Sequence, residues 1–253
     1  MDELAAQIAR DARQLGLREG DTVLVHSSLR SLGPGVSPED VINGLRLALG
    51  EKGTLMLPAL SYFTCNREHP FFDCRNSPSS VGVIPEYFRT GVKGVLRSMN
   101  PTHSCCALGP RAVELTQGHG QDDTPCGPHS PYRRLYELSG KILFLGCGTG
   151  CNTSMHAVEE RVLPPYLFAD AVTYTVTDPQ GNHFQTTCKA HDFQGVVQRY
   201  DRLLPLLPEG AAVRGRILAA ECTLMESRAM WDTAESRYRE DPLYFVDLET
   251  AAL

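Results

Sequence analysis

An apolar segment, a glycine-rich turn and a polar helix follow one another over residues 142–160, and this succession constrains the fold most. The run Ile142–Leu145 is apolar and has the length of a buried strand. Three glycines within Gly146–Gly150 then let the backbone turn sharply without a side-chain clash. A helix follows if the turn ends near Asn152. The segment therefore predicts one strand–turn–helix unit of an α/β protein.

The predicted helix carries three different polar side chains on one face. Thr153, His156 and Glu159 are spaced three residues apart, which places them on the same side of a helix. A hydroxyl, an imidazole and a carboxylate just beyond the end of a strand are typical of an acid–base site. These three residues are therefore the candidate catalytic group.

The glycine turn admits two interpretations. The stretch Leu145–Gly150 resembles the glycine loop of S-adenosylmethionine-dependent methyltransferases. In those enzymes the loop usually opens the fold and follows an acidic residue, whereas here it lies beyond the middle of the chain and follows Phe144. The other interpretation is a tight strand-to-helix turn that binds nothing. The turn alone does not decide between the two.

A chain of 253 residues can bury one good core, and we treat residues 1–253 as a single domain. Its core is expected over about 1–165, with a C-terminal elaboration over about 166–253. The net charge of -6 argues against a nucleic-acid partner. No apolar run approaches the length of a membrane span. The acidic start Met1–Leu4 lacks the basic-then-apolar pattern of a signal peptide, which predicts a cytoplasmic protein.

Nine cysteines are a high count for a chain of this length. Without an export signal we expect them to be mostly reduced thiols. Cys147 and Cys151 are four residues apart, and Cys65 and Cys74 are nine apart, so none forms a paired Cys-x-x-Cys pattern. The spacing therefore predicts no structural metal.

The N-terminal part predicts a strand–helix–strand unit with parallel strands. An amphipathic helix over 3–16 precedes a strand at Val23–Val25. A second helix over 38–49 and a second apolar strand over 53–58 come next. A helix that joins two such strands is typical of a parallel arrangement.

Polar residues follow the first strand at a place where a ligand is expected. His26, Ser27 and Ser28 stand at its carboxyl end, the edge where open α/β sheets tend to bind ligands. Hydroxyls and free backbone N–H groups at such a position suit phosphate or amide oxygens.

The middle of the chain combines short elements with long loops. The irregular segment 61–80 is too long for a simple connector, which predicts a functional loop or lid. A helix over 83–89, a polar turn that enters a short strand over 97–109, and a helix over 110–119 follow.

The C-terminal part predicts a hairpin followed by helices. Apolar strands over 171–177 and 183–188 flank turn residues at 178–181. Helices are expected over 192–207 and roughly 215–240, and a packed apolar segment over 243–246. Together the elements predict an α/β protein with a mostly parallel central sheet flanked by helices and an appended hairpin-plus-helix region.

Five sequence blocks, taken in order, resemble the aminoglycoside 3-N-acetyltransferase family, antibiotic N-acetyltransferases unrelated to the GNAT fold. They are Val25–Leu29 with Gly33, Gly53–Pro58, Arg97–Ser98 with Pro101–Ser104, Ser130–Pro131 with Leu135–Leu138, and Asn152–Glu159. Any one block is nonspecific, but five in order over about residues 20–160 are specific for the superfamily. They do not identify the acceptor.

The resemblance implies acetyl transfer from acetyl-coenzyme A to a primary amine in a ternary complex. It implies that His156 is the general base, that Thr153 lines the reaction centre and that Glu159 supports the histidine. The chemistry needs such a base, because an amine is protonated at neutral pH and must lose a proton before it attacks a thioester. The developing oxyanion also needs a donor, and the candidates are Thr153 and a backbone N–H near Gly148.

In this family the loop after the first strand holds coenzyme A. The residues to which the resemblance assigns that role are His26, Ser27, Ser28, Leu29, Arg30 and Ser31, with Ser98 and Ser104 lining the same channel. Arg30 and Arg97 are alternatively solvated surface residues, the commoner position of arginine. Acetyl-coenzyme A is thus the expected co-substrate, and no metal is expected.

Three carboxylates are the candidate contacts to a cationic acceptor. Asp122 and Asp123 lie in a proline-rich loop, and Asp192 aligns with an acidic segment of the family. Asn100 departs from the family pattern, which often has histidine there. The first candidate for the acceptor is an aminoglycoside or related amino sugar, and the alternative candidate is a different biosynthetic amine. A methyltransferase and a coenzyme-binding module without turnover are the alternatives from other classes.

The expected partners are a small-molecule amine and coenzyme A. Neither nucleic acid nor membrane is expected. A homodimer is left open by the sequence.

Overall fold

The computed structural model describes residues 3–249. The helices are α1 (Glu3–Leu15), α2 (Pro38–Leu49), α3 (Val83–Gly91), α4 (Ala112–Thr116), α5 (Pro131–Glu137), α6 (Ser154–Val162) and α7 (Ser227–Glu240). The strands are β1 (Thr22–Ser27), β2 (Thr54–Pro58), β3 (Phe71–Asp73), β4 (Leu96–Arg97), β5 (Cys105–Leu108), β6 (Lys141–Leu145), β7 (Phe168–Thr177), β8 (His183–His191), β9 (Val196–Gln198), β10 (Ala212–Ile217), β11 (Ala220–Glu226) and β12 (Val246–Leu248). Met1 and Asp2, which entered the signal-peptide argument, lie outside the described residues.

The central sheet has seven strands in the order β10-β11-β6-β1-β2-β5-β4. β1 runs parallel to both β2 and β6, whereas the outer pairs are antiparallel. α2 connects β1 to β2, so the predicted parallel strand–helix–strand unit is confirmed. The α/β class is also confirmed, with the parallel strands at the centre of a mixed sheet.

Helices cover both faces of this sheet because successive side chains of a strand point to opposite sides. Val23 and Val25 pack with α1, α2 and α3 on one face. Leu24 packs with α4, α5, α6 and α7 on the other, where Trp231 is fully buried. With both faces covered, the ends of β1 and β6 are held by a packed core.

The carboxyl ends of β1 and β6 lie side by side. Ser27 pairs with Leu145 at the last position of the parallel register. The backbone N–H of Ser28 donates to the Leu145 carbonyl at 2.9 Å, and the Ser31 hydroxyl donates to the Gly146 carbonyl at 2.7 Å. Gly146 has a φ of +70°, and a Cβ there would lie 2.6 Å from the Cβ of Ser31, so glycine is needed for this approach. The serine loop, residues Ser27–Ser31, therefore meets the glycine turn, residues Gly146–Gly150.

A second sheet, of three strands, contains the predicted hairpin. β7 and β8 pair antiparallel, and β3, which comes from within the predicted loop 61–80, runs parallel to β7. The Arg97 guanidinium anchors this loop by donating to the carbonyls of Ala59 (2.9 Å) and Ser77 (2.6 Å) and to the Ser61 hydroxyl (2.6 Å). The interpretation of Arg97 as a solvated surface residue is therefore wrong.

The predictions of two helices in the C-terminal part are partly wrong. Residues 192–207 contain β9 and a 3-10 helix at Tyr200–Leu206 that includes Pro205, which cannot donate a helical N–H. Residues 212–226 form the β10–β11 hairpin, and α7 begins only at Ser227. β11 pairs with β6 and so covers a sheet edge whose backbone groups would otherwise be unpaired.

Smaller differences concern the ends of elements. The helix predicted over 110–119 is the short α4, followed by Gly118 in a left-handed conformation and a 3-10 helix at His119–Gln121. The apolar segment 243–246 packs in part: Phe245 and Val246 are buried and β12 pairs with β9, whereas Leu243 is exposed. Within residues 3–249, the longest apolar helices fall short of what a membrane crossing requires. The single-domain assignment stays a prediction.

Candidate active site

A cleft of about 660 Å³ opens at the carboxyl edge of the central sheet. Its walls come from the start of α6, the loop after β2, the β7–β8 hairpin and the segment that follows β8. The side chains that line it include Tyr62, Arg67, Thr102, His103, Cys151, Asn152, Thr153, His156, Tyr174, His191, Asp192, Phe193 and Tyr200. Two of the three predicted catalytic residues, Thr153 and His156, are among them.

α6 positions the predicted catalytic group as its spacing indicated. Thr153 is the N-cap residue of α6, although its side chain makes no capping hydrogen bond. His156 Nδ1 lies 3.0 Å from Glu159 Oε2 one turn along the helix, and the His156 side chain is 13% exposed whereas that of Glu159 is fully buried. Because Nδ1 faces the carboxylate, Nε2 is the nitrogen available to a molecule in the cleft.

Glu159 is held by hydroxyl donors as well as by His156. Tyr166 and Tyr238 both donate to Oε1 at 2.8 Å, and Tyr200 donates to Oε2 at 2.9 Å. Burial alone raises the pKa of Glu159, but the hydrogen bonds and charge of its partners, His156 first, outweigh burial and leave the pKa below its usual value. The carboxylate is therefore ionised beneath the imidazole.

Two further histidines lie against His156, and a third stands at the end of β1. The ring centroid of His103 lies 5.4 Å from that of His156, and the ring centroid of His191 lies 5.1 Å from it. Burial lowers the pKa of both His103 and His191 well below the usual value. His26, stacked on Phe144 at the end of β1, has its pKa lowered to about 3, mainly by burial. These three rings are therefore neutral near pH 7.

A second carboxylate–imidazole pair lies next to the first. His191 Nε2 is 2.7 Å from Glu160 Oε1, and Glu160 also accepts from the Thr124 hydroxyl (2.5 Å) and the Cys126 N–H (2.7 Å). Burial raises the pKa of Glu160 to about 7. The buried Nδ1 of His191 has no hydrogen-bond partner, which leaves it available to a bound molecule.

A second cavity of about 950 Å³ is lined by Ser31, by the glycine turn from Gly146 to Thr149 and by β10 and β11. Of the loop residues assigned to coenzyme A, Ser31 is the one that lines this cavity. Ser28 Oγ lies 3.0 Å from Ser31 Oγ. His26 Nε2 and Ser27 Oγ are buried without partners. Unsatisfied polar atoms of this kind carry a cost unless a ligand or water meets them. Leu29 and Arg30 lie in the short 3-10 helix Leu29–Leu32, with Arg30 exposed.

Ser98 and Ser104 do not reach either cavity. Ser98 Oγ is 2.8 Å from His119 Nδ1 and accepts the Cys105 N–H. Ser104 Oγ donates to the Ala59 carbonyl at 2.7 Å. Both are fully buried hydroxyls that join neighbouring loops, so the structure does not bring them to the predicted channel.

The three predicted acceptor contacts separate in the structure. Asp192 lines the cleft. Asp122 is buried and closed off by His129, whose Nδ1 lies 2.7 Å away and whose N–H also donates to it. Asp123 is exposed on the far side of the same loop, where its carbonyl accepts the Lys189 N–H. The structure therefore brings one of the three carboxylates to the cleft.

Sequence reasoning did not single out His103, His191 or Tyr200. His103 lies within a family block, and the Asn100 side chain orients its turn by accepting the N–H groups of Thr102 and His103. His191 ends β8 immediately before Asp192. Tyr200 falls within the helix predicted over 192–207, and its contact with His156 Nδ1 at 3.1 Å carries no sequence signal. Within residues 3–249, no three His, Cys, Asp or Glu side chains are placed to hold a metal ion.

The family model described as aminoglycoside 3-N-acetyltransferase matches residues 24–239. The aminoglycoside N(3)-acetyltransferase VII of Streptomyces paromomycinus is 31% identical over 277 residues, which cover 92% of this chain and 94% of the relative. The aminoglycoside N(3)-acetyltransferase VIII of Streptomyces fradiae is 33% identical over 251 residues, which cover 87% of this chain and 86% of the relative.

Solved structures give the same result. The aminoglycoside acetyltransferase AAC(3)-IVa, as a histidine-to-alanine mutant in complex with a gentamicin, superposes with a TM-score of 0.81 at 30% identity and covers 95% of this chain and 90% of that one. The binary complex of AAC-IIIb with CoASH superposes with a TM-score of 0.81 at 27% identity and covers 93% of this chain and 96% of that one.

Proposed function

The chain belongs to the aminoglycoside 3-N-acetyltransferase family and is an N-acetyltransferase, and we propose that it acetylates a primary amine of an aminoglycoside or related amino sugar. The acetyl donor is acetyl-coenzyme A, and His156 acts as general base in a ternary complex. A different biosynthetic amine is the alternative acceptor. Family membership replaces the methyltransferase interpretation of the glycine turn. The turn instead allows the serine loop to come close at Gly146.

The observation that carries the proposal is the imidazole of His156 on the cleft wall with an ionised carboxylate directly behind it. Glu159 fixes the ring through Nδ1 at 3.0 Å and leaves Nε2 toward the cleft. An amine nucleophile must lose a proton to attack a thioester, and a positioned imidazole takes such a proton. The buried carboxylate then offsets the positive charge that the ring gains.

The proton and electron pairs can be followed through the reaction. The protonated acceptor first releases one proton to solvent and becomes a neutral amine. As its nitrogen bonds to the thioester carbonyl carbon, His156 Nε2 takes a second proton from that nitrogen. The tetrahedral intermediate collapses with cleavage of the carbon–sulfur bond, and the coenzyme A thiolate receives the proton from His156. Thr153, which lines the cleft beside His156, is the side-chain candidate for a donor to the oxyanion.

The surrounding groups fit a cationic acceptor. The neutral state of His26, His103 and His191 keeps three positive charges out of the site, where each would repel a protonated amino sugar. Asp192 adds a carboxylate to the wall. The open Nδ1 of His191 can accept from an amine or hydroxyl of the acceptor. These features support an amine with several polar groups over a simple apolar amine.

Coenzyme A is assigned to the serine loop and the cavity beside it. The glycine turn lines this cavity, and the Ser27 hydroxyl nearby in the sequence of the loop lacks a partner, so both offer hydrogen-bonding groups. A relative of known structure binds CoASH, which supports this assignment. Cytoplasmic location and assembly as a homodimer stay predictions.

A thiol-release assay with His156→Ala tests the proposal. With acetyl-coenzyme A and an aminoglycoside, we expect the variant to lose activity by about 10²- to 10⁴-fold, the usual contribution of a general base. The matched control is His183→Ala, because His183 is exposed at the start of β8 and does not line the cleft. It should retain wild-type activity.

A measurement of coenzyme binding distinguishes a catalytic role of His156 from a purely structural one. A thermal-shift titration with coenzyme A should give the same stabilisation for His156→Ala as for the wild type. Retained turnover in His156→Ala refutes the role of the base. Absence of thiol release by the wild-type protein with every amine in a panel of aminoglycosides, amino sugars and polyamines refutes the proposed acceptor class.

A further inference from the structure

The glycine turn holds a pair of thiols that the acetyl-transfer chemistry does not use. Cys151 Sγ lies 3.1 Å from Cys147 Sγ and 3.0 Å from the Gly148 carbonyl oxygen. Cys151 is exposed and Cys147 is half-buried. The other cysteines of the described chain are all buried: Cys65, Cys74, Cys105, Cys106, Cys126, Cys188 and Cys222. The pair is thus the accessible thiol group of the molecule.

The turn has room for the two sulfurs to bond. A disulfide has a sulfur–sulfur distance of about 2.0 Å, so the pair must close by about 1 Å. Gly148 and Gly150 lie between the two cysteines, and a Cβ built on either would meet nothing within 4 Å. A short glycine-rich turn without close neighbours can make such a movement at little cost.

The two thiols also differ from the others in reactivity. The hydrogen bond between the sulfurs lowers the pKa of Cys151, which favours the nucleophilic thiolate. Burial raises the pKa of Cys65 to about 11 and that of Cys106 to about 12. An oxidant in solution therefore meets Cys151 first, with Cys147 in contact behind it.

We propose that Cys147 and Cys151 form a thiol–disulfide modification site that reacts with low-molecular-weight disulfides. The Cys151 thiolate attacks one sulfur of the disulfide, and one thiol leaves after taking a proton. Cys147 loses its proton and attacks Cys151 Sγ in the mixed disulfide, which releases the second thiol. Two protein thiols are oxidised to one disulfide, and the small disulfide is reduced to two thiols.

The position of the pair connects this modification to catalysis. Cys151 lines the cleft that contains His156, and Cys147 lines the second cavity. Closure of the bridge reshapes the turn between them, just ahead of Thr153. We expect the bridge to lower kcat/KM for acetyl-coenzyme A, a consequence that rests on the proposed function.

Mass spectrometry after oxidation tests the site without any substrate. The folded full-length protein is incubated with oxidised glutathione, free thiols are alkylated, and the protein is digested with trypsin. The tryptic peptide from Ile142 to Arg161 contains both cysteines and no other. We expect it to be two hydrogen atoms lighter and unalkylated, while the buried cysteines remain alkylatable after denaturation. In Cys147→Ser, the same peptide should instead carry glutathione on Cys151.

Two results overturn the proposal. One is full alkylation of both Cys147 and Cys151 in the folded, oxidant-treated protein. The other is oxidation of the buried cysteines as fast as that of the pair. For the catalytic consequence, the ratio of oxidised to reduced activity is compared within the wild type and within Cys147→Ser. A bridge that forms with no fall in the wild-type ratio refutes the coupling to catalysis, whereas inactivity of the reduced protein counts against the proposed function.

Discussion

Replacement of Glu159 by glutamine removes the charge beneath His156 and keeps the side-chain volume. The carboxylate faces His156 and Tyr200 at Oε2, and Tyr166 and Tyr238 at Oε1. A glutamine amide has one carbonyl oxygen that accepts and one NH2 group that donates. In either orientation of the amide, at least one of these hydroxyls therefore faces a donor in place of an acceptor.

The expected loss of activity follows from the contact between His156 and Glu159. Nδ1 and Oε2 are 3.0 Å apart and nearly shielded from water. A hydrogen bond to a charged group contributes about 1.5–3 kcal/mol. Because each 1.36 kcal/mol is tenfold in rate, we expect kcat to fall by about 10- to 150-fold in Glu159→Gln. The KM for acetyl-coenzyme A should change little, since Glu159 does not line the cleft.

Stability should fall in the same variant. Each buried hydroxyl that loses its acceptor costs about 1–3 kcal/mol of unfolding free energy. Tyr238→Phe is the matched control, because it removes one donor to Glu159 Oε1 and leaves both the charge and the contact of Tyr200 with His156 in place. Its loss of kcat should be smaller than that of Glu159→Gln.

Steady-state thiol release and urea unfolding measure the two effects separately. A folded Glu159→Gln protein with kcat within twofold of the wild type would refute the role of the carboxylate in supporting the base. Equal losses of kcat in Glu159→Gln and Tyr238→Phe would assign the effect to the hydrogen bonds and packing around Glu159 rather than to its charge.

Two further predictions concern the glycine turn and the second carboxylate. Gly146→Ala places a Cβ 2.6 Å from that of Ser31 at a positive φ, so it should lower the unfolding free energy by about 1–3 kcal/mol in urea titration. Gly150→Ala, which has open space, should cost less, and equal losses contradict the argument. Burial raises the pKa of Glu160 from 4.5 to about 7, so its stabilising contribution is present below pH 4.5 and is lost as the pH rises through 7. The unfolding free energy of Glu160→Gln should therefore rise relative to the wild type over that range, and a constant difference refutes this.

The parts of the fold and site that could be predicted are those with local signals. The period of three that joins Thr153, His156 and Glu159 needs only a helix to become a shared face, and α6 supplies it. β10 and β11 could not be predicted in the same way. The helix predicted over roughly 215–240 overlaps both strands, since the need for β11 arises at the open edge of β6, far away in the sequence.

The site residues that were missed or misplaced depend on tertiary contacts. Asp122 and Asp192 are both carboxylates in loops, and their composition does not distinguish them. His129 closes on the first, whereas the chain after β8 carries the second into the cleft. Tyr200 reaches Glu159 across 41 residues of chain, a contact that no local pattern encodes.

The adjacent carboxylates Glu159 and Glu160 show why one histidine of this cleft is suited to be the base. Both are buried and each faces an imidazole, His156 and His191 respectively. Burial raises the pKa of Glu159, but the hydrogen bond and charge of His156, followed by tyrosine hydroxyl donors, outweigh burial and leave the pKa below its usual value. Glu160 has one hydroxyl and one N–H donor besides its histidine, and its pKa rises to about 7. An imidazole can hold a proton during turnover where the carboxylate behind it is already ionised, so the count of donors around each carboxylate favours His156 over His191.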